Sequence, residues 1–153
     1  MKLSLSFWWA LAGCAVLMGD VFFAGVSMAA LPPLSDAEMK ESADVVVTGQ
    51  VISEYHRIVP LDGGQGMTDR QWILVVQVES VRKGEAKVGQ LMYLHGWNPQ
   101  SRPDGFTGAG GHRWVPAPGQ RGLFYLKKST RGYLSILDPN GASTLPEQPS
   151  KTP

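Results

Sequence analysis

The stretch DVVVTGQVISEYHRIV, Asp44 to Val59, decides the fold. Val45, Val47, Gly49 and Val51 fall on one side of an extended chain, and Val46, Thr48, Gln50 and Ile52 on the other. A period of two in β-branched residues reads as a long strand and excludes an amphipathic helix. Gly49 in its middle predicts a bulge or a sharp coil, as a small closed barrel requires.

Working outward, Pro60 to Thr68 holds Gly63-Gly64-Gln65-Gly66 and reads as a loop. Arg70 to Val81 is a second long strand, with Trp72, Leu74, Val76 and Val78 on one face and Ile73 and Val75 on the other. Leu91 to Trp97 is a third strand, ended by Asn98-Pro99, because proline cannot donate to a ladder. Residues 98–120 read as a long Gly/Pro loop, a length that is uncommon inside a compact domain. Arg121 to Lys128 and Tyr133 to Leu137 complete five strands. The predicted core holds Val47, Val51, Leu74, Val76, Leu126 and either Leu123 or Phe124. The expected fold is mostly β: a small five-stranded OB-like Greek-key barrel, with a small β-sandwich as the alternative.

On the N-terminal side, Ser35-Asp36-Ala37-Glu38 has the form of a capping box and predicts a short helix over 36–43. Met1-Lys2, the apolar run Leu3 to Gly19, Asp20, and the apolar run Val21 to Ala30 form a leader. Ser27 and Ala29 are small residues at the positions a signal peptidase reads, and Leu31-Pro32-Pro33 breaks a continuing helix. The organisation expected is a signal peptide at 1–29, a linker and short helix at 30–43, a barrel domain at 44–138 and a flexible tail at 139–153. Export to the periplasm or beyond follows. Leu11-Ala12-Gly13-Cys14 also resembles a lipobox, so lipidation at Cys14 is an alternative, as is an uncleaved anchor. Cys14 is the one cysteine, so a mature domain cleaved after Ala29 has no disulfide and no thiol nucleophile.

The chain has 153 residues, 43% hydrophobic, 18 glycines and 11 prolines, with a net charge of +1. Less its leader it suffices for one core. Near-neutral charge and export argue against nucleic acid as a partner. Asp36, Glu38, Glu41 and Asp44 make the start of the domain acidic. Arg113, Arg121, Lys127, Lys128 and Arg131 lie in an acid-free segment and are either solvated edge residues or an anion-attracting face.

The segments ADVVVTGQV (43–51), VQVESVRKG (76–84), KVG (87–89) and PAPGQRGLFYL (116–126) resemble exported bacterial domains related to the netrin-like module. That is the OB-type module also seen in tissue inhibitors of metalloproteinases. The resemblance covers roughly residues 43–138 and implies the barrel. The inhibitors chelate the protease zinc through an N-terminal cysteine, which this mature domain lacks, so that activity does not carry over.

Three kinds of site are readable. His56, His95 and His112 are the histidines, and a barrel could bring His95 and His112 together as metal ligands, or leave them as ordinary strand and loop residues. The glycine-rich run Gly105 to Arg113 could cradle an anion but lacks a P-loop ending, and reads equally as a plain surface loop. Trp97 and Trp114 flank that loop, with Trp72 and Tyr93 nearby. Such aromatics either stack on a ring-shaped ligand or fill a core. No Gly-x-Ser-x-Gly, Ser-x-x-Lys or His-Glu-x-x-His is present. The expectation is a non-enzymatic binding module of the cell envelope, touching an envelope protein or small ligand through Trp97, His112, Arg113 and Trp114. The alternatives are a metal- or cofactor-binding protein using His95 and His112, and an enzyme with an unrecognised site. No cofactor is required by the sequence, and membrane contact arises only through Cys14 or an uncleaved leader.

Overall fold

The computed structural model describes residues 32–61, 66–106 and 108–146. The signal peptide read at 1–29, with Cys14, lies outside them. No helix among the described residues is long and apolar enough to cross a membrane.

The capping box forms as written. Ser35 Oγ accepts from Glu38 N–H, and the Glu38 carboxylate accepts from Ser35 N–H, opening helix α1 (Asp36–Ser42). Two cations close its far end. Lys83 Nζ donates to the carbonyls of Lys40 and Glu41, and Lys127 Nζ donates to that of Ser42, as the negative end of a helix favours.

Among the described residues six strands follow: β1 (Val45–Pro60), β2 (Thr68–Lys83), β3 (Leu91–Ser101), β4 (Arg121–Lys128), β5 (Leu134–Ile136) and β6 (Ala142–Thr144). The order β1-β2-β3-β5-β4 closes on itself through β4 pairing back to β1, with β3 and β5 parallel and the other pairings antiparallel. The molecule is therefore a small closed OB-like barrel and not a sandwich. Val45, Val47, Val51, Leu74, Val76, Val78, Leu94, Phe124 and Leu126 are fully buried inside it. Of the pair left open by the alternation in β4, Phe124 points inward.

The coil expected at Gly49 is there. The β1–β2 register shifts at Thr48/Gly49, and a Cβ on Gly49 would lie 2.4 Å from Gln77 O. A side chain there would prevent the two strands from closing to ladder distance.

Two boundaries differ from expectation. Asn98-Pro99 does not end β3: Asn98 pairs with Arg70 and Pro99 with Asp69. β5 pairs with β3 only at Leu94 and His95, so beyond that point the second edge of β3 carries no strand and the missing proline N–H costs nothing. The segment expected to be a flexible tail begins with β6, which pairs Ala142 to Thr144 against β4 and buries Ala142. Its remainder, 147–153, lies outside the described residues.

Candidate functional site

The barrel has a seam where β3 and β5 part after His95, and His112 fills it. Its N–H donates to Trp97 O at 3.0 Å. Its ring Nδ1 faces the Trp97 N–H at 3.3 Å and Trp97 O at 3.0 Å, and its Nε2 donates to Ile136 O at 3.0 Å. One loop residue thus bridges both sides of the seam. Gly111 permits the approach: its φ is +62° and a Cβ would meet Trp97 O at 2.6 Å, a position open only to glycine.

Trp72 packs across the same junction. Its ring lies over Gly96, where a Cβ would come within 2.0 Å of it. Its Nε1 donates to Asn98 Oδ1 at 2.6 Å, and its ring meets His112 edge-on with centroids 5.0 Å apart. Asn98 Nδ2 donates back to His112 O.

Asp138 completes the cluster. Its Oδ2 accepts from Trp97 Nε1 at 3.0 Å, and its Oδ1 lies 3.0 Å from His112 Nδ1 with no other partner. Burial pushes the His112 imidazole down. The Asp138 carboxylate and the carbonyls of Ile136 and Trp97 outweigh it, so the ring is held above its ordinary value.

His112 is therefore only 3% exposed and fully committed to its own chain, a physical reason against the ligand contact expected of it. The same bonds oppose the metal reading, because both ring nitrogens are occupied. His95 and His112 do border one cavity. Yet among the described residues no three His, Cys, Asp or Glu side chains converge on a point that could hold a metal ion. Arg113 and Trp114 are exposed on the loop, and neither lines that cavity. Three amides of the glycine-rich loop are bonded within the chain: Phe106 N–H donates to Pro103 O, His112 N–H to Trp97 O and Arg113 N–H to Pro139 O. Three of the five cations in the acid-free segment face carboxylates: Arg121 on Glu79, Lys127 on Asp44 and Lys128 near Glu85.

The cavity is bordered by Trp72, His112 and Asp138 of this cluster and opens among outward-facing residues of the sheet. Register aligns Tyr55, Ile73, His95 and Ser135 in one row across β1, β2, β3 and β5, and Arg57, Gln71 and Trp97 in the next. These residues, with Tyr133, border an open cleft of about 660 Å³, a size ordinary for small-ligand sites. Tyr55 is 64% exposed and Tyr133 40% exposed. The Tyr133 ring lies against His95 with centroids 4.6 Å apart and planes tilted by 38°. Burial pushes the His95 imidazole below its ordinary value, so at neutral pH it is an uncharged ring. The Asp138 bond fixes the Trp97 indole. Arg57 donates twice to Gln71 Oε1, at 3.0 and 3.3 Å, which leaves the Gln71 amide NH₂ free to donate into the cleft.

Of the residues singled out in the sequence, His56, His95 and Trp97 line this cleft, and the buried Trp72 and His112 border it too. Trp72 is core, and Tyr93 is exposed on the same strand two residues from His95. Tyr55, Arg57, Gln71, Ile73 and Tyr133 were not legible as site residues. The signal that could have found them was the outward alternation of β1 and β2, once their pairing register was known.

No family model, no curated protein and no solved structure matches the chain.

Proposed function

We propose that the chain is an exported, non-enzymatic binding module of the cell envelope, whose ligand sits in the outer-face cleft of β1, β2 and β3. One observation carries this reading. Tyr55, Tyr133, His95 and Trp97 gather on the solvent side of a barrel whose core is complete without them. Tyr55 and Tyr133 are exposed and His95 and Trp97 half-buried, and aromatics that reach solvent in one concavity are the usual mark of a binding surface. Export rests on the leader pattern, and a netrin-like kinship on the framework resemblance of residues 43–138.

The binding claim is tested on protein purified from its own envelope fraction. Native mass spectrometry should find a retained species on the wild type and not on Tyr55→Ala/Tyr133→Ala, with both proteins melting alike. Retention by both would remove the cleft as the site.

A further inference from the structure

Resting on the binding reading above, we infer that the cleft takes a neutral glycan, held by stacking of a sugar ring between β1 and β3. The groove has a floor and two walls. Ile73 and Gln71 on β2 form the floor; Tyr55 stands on the β1 side, and His95 backed by Tyr133 on the β3 side. Tyr55 and His95 are two strand spacings apart, roughly 9.5 Å. That width admits one saturated ring between two upright aromatic side chains.

The chemistry of the walls selects the class. A pyranose presents apolar C–H faces above and below and hydroxyls around its rim. Aromatic rings meet the faces, and planar polar side chains meet the rim. Here the faces are met by Tyr55 and by the stacked His95–Tyr133 pair, and the rim by the Gln71 amide, bonded through its oxygen to Arg57, and by the Ser135 hydroxyl.

Charge excludes the nearest rivals. A nucleic acid has ring faces too, but it needs cations along its backbone. Among the residues that line this cleft the one Lys or Arg is Arg57, bonded to Gln71, and it is set against two carboxylates, Asp69 and Asp138. An extended peptide would be recognised through strand-edge backbone groups. In this row β2 is paired on both sides and the ligand-facing groups are side chains.

The test is an NMR titration of the full chain with a soluble β-1,4-linked tetrasaccharide of N-acetylglucosamine, run beside a thymidine pentanucleotide and a proline-rich peptide. The sugar should shift the signals of Tyr55, Gln71, Ile73 and His95. Tyr55→Ala and Tyr133→Ala should each weaken binding roughly tenfold, the worth of one stacking contact, at unchanged melting temperature. Trp114→Ala, an exposed aromatic outside the cleft, should bind as wild type. Shifts produced by the nucleotide or the peptide instead of the sugar would overturn the glycan assignment and leave the cleft as the site. Absence of sugar binding, together with equal retention of envelope species by wild type and the double tyrosine variant, would overturn both.

Discussion

His112 Nε2 donates to Ile136 O at 3.0 Å while the same residue's N–H donates to Trp97 O. A single loop histidine thereby joins β3 to the end of β5 across the seam where the two strands part. Its neighbours Trp72, Asn98 and Asp138 are fixed by the same contacts.

His112→Ala should destabilise the protein by about 2–4 kcal/mol, because it strands buried partners at Trp97 and Ile136. Arg113→Ala, one residue on and exposed, should change stability by less than about 0.5 kcal/mol. Urea denaturation of the two variants checks both. Equal midpoints would show that the seam does not depend on His112.

The ion pair with Asp138 sets a pH dependence. The folded-state value of His112 is raised, because Asp138 and the two carbonyls outweigh burial. Its contribution is therefore complete below the unfolded-state value, about 6.5, and is lost as pH rises through the folded one. Melting temperature should fall as pH rises above about 6.5. Asp138→Asn removes the largest raising influence, so this loss should shrink. An undiminished loss in that variant would assign it to another group.

Gly96→Ala places a methyl group where the Trp72 ring lies. Trp72 would have to leave Asn98 and His112, so a cost of about 1–3 kcal/mol is expected from overpacking. Near-ultraviolet circular dichroism should lose tryptophan fine structure. An unchanged spectrum would mean that the ring adapts in place.

Val76→Ala deletes two methyl groups from the centre of the barrel, where Val76 is fully buried. A cost of about 2–3 kcal/mol is expected from lost transfer energy plus the cavity. Chemical denaturation measures it. A loss below about 1 kcal/mol would show that the core collapses around the site.

The barrel was legible because its signal is local. Alternating valines over Val45 to Val51, the Trp72 to Val78 stripe and the Ser35–Glu38 box each name one element from adjacent residues. Pro99 misled because a proline's cost depends on whether its strand has a partner on that edge, which is a tertiary fact. The site was less legible for the same reason. His112 looked like a ligand contact on a glycine-rich loop, yet the seam it fills exists only once β3 and β5 have paired and diverged. Tyr55, Ile73 and His95 are far apart in sequence, and only the register makes them one row.

The account stands or falls on whether the outer-face cleft is occupied in the native setting. The four tyrosines make this measurable: two of them, Tyr55 and Tyr133, border the cleft, and two, Tyr93 and Tyr125, do not. Fluorine NMR of the fluorotyrosine-labelled chain, with and without an extract of its own envelope, reports on all of them at once. The signals of Tyr55 and Tyr133 should move together, while those of Tyr93 and Tyr125 stay in place. Movement confined to Tyr93 or Tyr125, or none at all while a bound species is retained, would contradict the site.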